Sequence, residues 1–143
     1  MHAENFLLQV RTIDAEIRRQ ESIVEEIRHS LEPQAIRYDK DKVQSTPEDP
    51  MAQMMVRLDA KREKIEQLKI HRAEVMLEID RVLCQLEDEE EQMVLTHWYL
   101  FRENAETVSE SVPCSVRTMY KLKASGLGHV EDLLQNKVCS DLQ

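Results

Sequence analysis

The sequence predicts an all-α protein, in which long helices with a heptad (coiled-coil) pattern are followed by a small C-terminal helix-turn-helix domain. Three observations support this fold class. The 143 residues include only 2 glycines and 4% aromatics, while 33% are charged, a composition typical of long helices. Two long stretches repeat their apolar residues at alternating steps of three and four. After residue 92 the pattern becomes shorter and denser.

The first helix is expected over residues 4–31. Steps of four and three select eight positions, of which seven are apolar. Such a stripe keeps facing a partner helix, so it predicts packing along the whole length. Pro33 is expected to end the helix, because proline lacks the amide that an internal turn requires. The stripe comprises Phe6, Val10, Ile13, Ile17, Gln20, Val24, Ile27 and Leu31.

The second helix is expected over residues 48–88, with Thr46 as its cap and Pro47 at its first position. Nine of its eleven stripe positions are apolar. The two others, Lys61 and Arg72, are expected to control the register or to reach a wet edge. Because this helix is the longer one, part of its stripe would remain uncovered, which predicts a homodimer. The stripe comprises Met51, Met54, Leu58, Lys61, Ile65, Leu68, Arg72, Val75, Ile79, Val82 and Leu86.

A polar connector at residues 32–47 divides the helical region 1–88 and is long enough to reverse the chain. Ile36, Tyr38 and Val43 interrupt its charged residues. Apolar and aromatic residues in such a setting are expected to pack onto the helices or onto a partner protein. A plain spacer is the alternative that the sequence leaves open.

An acidic run, Glu87 to Glu91, follows the second helix. We expect it to form a solvated joint and to place negative charge at the start of the next helix, where the helix dipole favours it. Asp88 and Glu91 have the spacing of a capping box. Five adjacent acids point around a helix rather than toward one ion, so no metal site is expected.

Residues 89–136 are expected to form the C-terminal domain, followed by a tail at 137–143. Its first helix contains Met93, Leu95, Trp98, Tyr99 and Leu100. Val108 and Val112 predict a short second helix, and Ser115 can cap a third through Val116, Met119 and Leu122. Two short helices joined by a tight break at Pro113-Cys114, with the small residue Ser109 between them, predict a helix-turn-helix in which Val108, Val112, Met119 and Leu122 are buried. Gly126 and Gly128 are expected to weaken the end of the third helix.

The exposed face of that third helix is predicted to bind double-stranded DNA. Residues 115–125 contain three cations and no acid, a local basic face on a chain of net charge −9. Such a face suits contacts to phosphates and to base edges. An ordinary amphipathic hairpin with a few surface cations is the alternative. The predicted DNA-binding residues are Ser115, Val116, Arg117, Thr118, Tyr120, Lys121 and Lys123.

The run MVLTHWYL…AETVSESVPCSVRTMYKL resembles the helix-turn-helix of region 4 of bacterial sigma factors. With the tract IRYDKDKVQSTPEDPM, it is most similar to the sigma-like domains of small prophage-encoded transcriptional regulators of Gram-positive bacteria, over about residues 35–134. That group includes late-operon activators. The resemblance implies promoter binding and transcription control, with RNA polymerase as a further candidate partner. The chain differs at Ala105, where the family has an aromatic, and at Pro113, where it has glycine, so the turn is expected to close one residue later.

Two other functions stay open: a small-terminase-like protein that recognises DNA for packaging, and a coiled-coil adaptor that binds only proteins. No enzyme and no cofactor are expected, because two glycines leave no phosphate-binding loop and the five histidines are scattered. Three widely spaced cysteines predict neither disulfides nor zinc. No signal peptide and no apolar run of about 20 residues is present, so we expect a cytoplasmic protein without a membrane partner.

Overall fold

The computed structural model of this chain describes the backbone of residues 2–40 and 49–141, and the side chains of residues 2–32 and 49–136. Within these ranges there are six α-helices and no strand, which confirms the all-α prediction there. A π-helical turn, Thr96–Leu100, extends the fourth helix. None of the helices in the described ranges is long and apolar enough to span a bilayer. The helices are α1 (Ala3–Leu7), α2 (Gln9–Lys40), α3 (Pro50–Leu83), α4 (Glu89–Leu95), α5 (Ala105–Ser111) and α6 (Val116–Asp141).

The chain forms two compact units. Met1–Ile13 and Arg72–Gln143 make the first unit, and Asp14–His71 makes the second. The division predicted from the sequence, into a helical coiled-coil region at 1–88 and a helix-turn-helix domain at 89–136, stays a prediction.

The N-terminal helices differ from the predicted first helix at both ends. A break at Leu8 separates α1 from α2, although the Leu8 amide still bonds to the Glu4 carbonyl at 2.9 Å. At the other end α2 continues past Pro33 to Lys40, so the predicted end at Pro33 is wrong. Ala35 and Arg37 follow the proline, and both residue types favour helix strongly.

The start of α3 is fixed by Asp49. Its side chain accepts a hydrogen bond from the Met51 amide at 2.9 Å, and Pro50 takes the first helical position. The expected cap at Thr46 and Pro47 lies outside the described residues. So does the side-chain packing expected for Ile36, Tyr38 and Val43, which stays a prediction.

The two predicted stripes are the inward faces of α2 and α3. Every stripe residue is buried or half-buried, including Lys61 and Arg72. In the second unit Glu21 Oε1 lies 3.3 Å from Lys69 Nζ, and Ile27 lines one cleft with Met54, Leu58 and Lys61. Residues further along α2 therefore meet residues earlier in α3, so the helices are antiparallel in this unit. No residue of the described stripe is fully exposed, and the homodimer stays a prediction.

The core of the first unit joins the N-terminal helices, the end of α3, α4 with its π-turn, and α6. Tyr99 is its largest fully buried side chain, and burial raises the pKa of the phenol to about 12. Helix α6 passes through both glycines and into the predicted tail, so the expected weakening at Gly126 does not end it. The core residues are Ala3, Phe6, Leu7, Val10, Ile79, Val82, Leu83, Leu86, Leu95, Tyr99, Leu100 and Val130.

Candidate nucleic-acid interface

A small apolar core holds α5 against α6. Val94, Val108, Val112 and Met119 are almost completely buried in it, and Leu122 is packed against it. The sequence predicted Val108, Val112, Met119 and Leu122 as buried positions. The core leaves the opposite side of the first turns of α6 facing outward.

The turn between α5 and α6 closes around Pro113. Proline has no amide to donate, and the Cys114 amide instead bonds to the Ser109 carbonyl at 3.2 Å. The bond satisfies one of the carbonyls that the last turn of α5 leaves without a helical partner. The closing amide therefore comes from the residue after Pro113, as expected from the sequence.

Side-chain caps fix where the two helices begin. The Ser115 hydroxyl accepts from the Thr118 amide at 3.1 Å, which confirms Ser115 as the cap of α6. The hydroxyls of Ser115 and Thr118 also bond to each other at 2.9 Å. Asn104 caps α5 in the same way, through the Thr107 amide at 2.8 Å. Sequence reasoning missed Asn104, although asparagine before a helix is a recognisable signal.

The outward face of α6 combines cations with apolar groups. Val116 is 40% exposed and Tyr120 is 47% exposed, one helical turn apart. Arg117 and Lys121 are also exposed and one turn apart. The first acid on α6 is Glu131, so about the first four turns of the helix carry no negative side chain. This face can offer cations to phosphates and apolar contacts to base edges.

Lys123 lies differently from the other predicted DNA-binding residues. Its side chain is half-buried, and Nζ lies 4.6 Å from the centre of the Trp98 ring and 5.8 Å from that of Tyr99. The rings of Tyr120 and Trp98 form an edge-type contact, with 6.0 Å between ring centres. The structure thus brings Lys123 and Tyr120 together on Trp98, which the sequence marked only as an apolar helix position.

Glu91 was expected in a solvated joint, and the structure corrects this. The side chain is buried between α4 and α6, where it accepts a bond from the Ser125 hydroxyl and lies 2.7 Å from His129 Nδ1. The hydrogen bond to Glu91, followed by its charge, raises the pKa of His129. The cap of α4 is Asp88, whose side chain accepts from the Glu90 amide at 2.9 Å. Because Glu91 meets residues more than thirty positions away, no local pattern could have marked it as buried.

These features define an all-α protein with a basic, partly apolar face at the start of its last helix. The chain belongs to the DUF1492 family, described as proteins of unknown function, whose sequence profile matches residues 33–131. The match covers α3, α4 and α5 and continues into α6. No curated protein matches the chain, and no solved structure matches it either.

Proposed function

We propose that the protein is a DNA-binding transcriptional regulator of phage or prophage origin. In this proposal α5 and α6 form a sigma-like helix-turn-helix, and the outward face of α6 lies in the major groove of promoter DNA. The observation that carries the proposal is the alternation of Val116, Arg117, Tyr120 and Lys121 on a face without acids. An arginine can read guanine bidentately, and apolar groups can contact the thymine methyl.

The packing of α5 on α6 supports this reading. Val108 and Met119 are fully buried against each other's helix, and a four-residue turn, 112–115, separates the helices. A short helix joined by a tight turn to a following helix is typical of the motif, whose second helix reads the groove. The resemblance to sigma region 4 agrees with this assignment of the reading helix. It also makes RNA polymerase the candidate protein partner at the promoter.

We also propose that the protein forms a homodimer, in which the two copies pair through the outer face of α3. Val56 is 68% exposed and Ile70 is 52% exposed, and they are separated by two heptads. Asp59 and Lys64 flank this face on opposite sides, since each residue turns the helix by about 100°. In a parallel, in-register pair Asp59 of one chain would lie beside Lys64 of the second copy, so the charges are complementary.

The test of DNA binding is genome-wide mapping of the DNA recovered with the tagged protein from its host. Wild type is compared with Arg117→Ala/Lys121→Ala. The matched control is Arg18→Ala/Arg28→Ala, which removes two exposed cations from α2. Enrichment at promoters that is lost only in the α6 variant supports the proposal.

Other outcomes of that mapping select other functions. Enrichment at one packaging site, with a ring-shaped oligomer larger than a dimer, would replace the regulator with a terminase-like protein. An α6 variant that recovers the same DNA as wild type would remove α6 as the reading helix. A wild-type protein that enriches no DNA leaves the coiled-coil adaptor.

A further inference from the structure

Trp98 contacts α6, the helix of the proposed reading face, through two side chains. Lys123 places its ammonium over the indole, and the Tyr120 ring meets it edge-on. Tyr120 is about half exposed, so its side chain contacts Trp98 and still remains accessible on the surface of α6. Both residues of α6 therefore have the indole as a packing partner.

The same indole is held from the N-terminal segment. The Arg11 guanidinium carbon lies 5.9 Å from the ring centre, and Nη2 donates a hydrogen bond to the Trp98 carbonyl at 3.1 Å. Arg11 is half-buried, which strengthens both contacts because water screens them less. Arg11 thus fixes the side chain and the backbone of one residue at once.

A second contact ties the start of the chain to α6. The Ala3 amide donates to Glu131 Oε2 at 2.6 Å, while Phe6, Leu7 and Val10 fill the core of the first unit. The N-terminal segment is therefore anchored on α6 itself as well as on Trp98. Nothing in the spacing of the sequence connects residues 3–11 with the reading helix.

We propose that Trp98 and Arg11 are positioning residues for DNA reading: Arg11 holds Trp98, and Trp98 sets the orientation of Tyr120 and Lys123 on α6. This inference rests on the proposed DNA-binding function and adds to it that the N-terminal segment controls affinity. Lys123 then acts by packing on the indole, since its ammonium is engaged with the ring face. Lys123 would affect binding to every DNA sequence alike through its contact with Trp98, without neutralising a phosphate.

The test uses the full chain and a promoter fragment recovered in the mapping experiment. Arg11→Met keeps the aliphatic stem and removes the guanidinium, Arg11→Lys restores the charge, and Arg18→Met is the control at an exposed site of the same helix. Trp98 is the only tryptophan, so its emission reports directly on this contact. DNA affinity, its salt dependence and the emission maximum are measured for each variant, well below its melting temperature.

Arg11→Met is expected to shift the emission and to lower the affinity about tenfold, the scale of one cation–π contact with a charge-assisted hydrogen bond. The salt dependence should stay unchanged, because Arg11 contacts no phosphate. Arg11→Lys should recover part of the affinity, and Arg18→Met should behave as wild type. The proposal would be overturned if Arg11→Met bound DNA with wild-type affinity although its emission is shifted. It would also be overturned if the affinity of Arg11→Met depended less on salt than that of the wild type.

Lys123→Gln provides a second, independent variant, because Lys123 is more exposed than the residues of the core. The positioning role predicts weaker binding with an unchanged salt dependence, whereas a phosphate contact predicts a slope smaller by about one. The latter result would overturn the role given to Lys123. If the wild type itself binds no promoter fragment, the proposed function fails first, and this inference fails with it before any variant is compared.

Discussion

His129 on α6 places Nδ1 2.7 Å from Oε2 of Glu91 on α4, and the carboxylate is buried while the imidazole is largely exposed. The Ser125 hydroxyl bonds to the other carboxylate oxygen, so both oxygens of Glu91 have partners from α6. A buried carboxylate is costly unless it is paired. This cluster therefore makes the α4–α6 contact depend on the protonation of His129.

The stability of the first unit is expected to decrease as the pH rises through neutrality. The hydrogen bond and charge of Glu91 raise the pKa of His129 above its ordinary 6.5, and the charges of Asp132 and Asp88 add to this. A raised pKa contributes stability that is complete below about 6.5 and is lost as the pH rises through the folded-state value. Melting temperatures between about pH 6 and 9 measure this, and His129→Gln should flatten the profile. The exposed His29→Gln is the control, and an unchanged profile in His129→Gln would refute the coupling.

Two glycines on α6 should respond in opposite ways to alanine. A Cβ at Gly128 would meet no atom within 4 Å, so Gly128→Ala should raise the free energy of unfolding by about 0.5–1 kcal/mol through helix propensity. A Cβ at Gly126 would lie 2.9 Å from Cδ1 of the buried Leu95. The resulting strain should outweigh the propensity gain, with a net loss of about 1 kcal/mol. Denaturant unfolding measures both, and equal stabilisation of the two variants would contradict the close α4–α6 approach.

Removing the Tyr99 hydroxyl should stabilise the protein. The side chain is 1% exposed, and among the described residues its hydroxyl has no hydrogen-bond partner. An unsatisfied buried polar group costs about 1–3 kcal/mol, so Tyr99→Phe is expected to raise the free energy of unfolding by about 1 kcal/mol. The exposed Tyr120→Phe should change stability very little. A marked loss in Tyr99→Phe would mean that the hydroxyl is bonded after all.

Arg117→Ala should weaken specific DNA binding by about 1–3 kcal/mol if the guanidinium reads a base edge. Discrimination against sites mutated at that base pair should shrink by a similar amount. Electrophoretic mobility shifts on wild-type and mutated promoter fragments measure both quantities. A uniform loss over all fragments would assign Arg117 to a phosphate instead.

The sequence predicted the inward faces of the long helices because a repeat of three and four is a local property. All residues of both stripes, from Phe6 to Leu86, are buried or half-buried. The cap at Ser115 and the buried Val108 and Met119 were predicted for the same reason. The ends of the helices were less predictable. A proline ends a helix only if the residues after it cannot continue the helix, and the residues after Pro33 can.

The contacts of the candidate site were beyond local reasoning. Arg11 and Trp98 are 87 positions apart, and Glu91 and His129 are 38 apart, so only the folded chain brings them together. Charge counting grouped Lys123 with Arg117 and Lys121, because counting ignores which side of the helix each cation occupies. The single tryptophan was the one available signal, since so large a ring is rarely placed without contacts on both faces.

Pairing through α3 can be tested by changing its outer face in both directions. Val56→Asp/Ile70→Asp removes two exposed apolar groups and adds like charges, so it should abolish the homodimer. Glu63 lies between them on the same face and would meet its own copy in a parallel pair. Glu63→Leu should therefore tighten the dimer by about tenfold or more, since it replaces like-charge repulsion with apolar burial. Sedimentation equilibrium of the three proteins at several concentrations measures the change. If the wild type is a monomer and Glu63→Leu is also a monomer, any pairing uses another surface. The same conclusion follows if the wild type is a dimer and the double aspartate variant remains one.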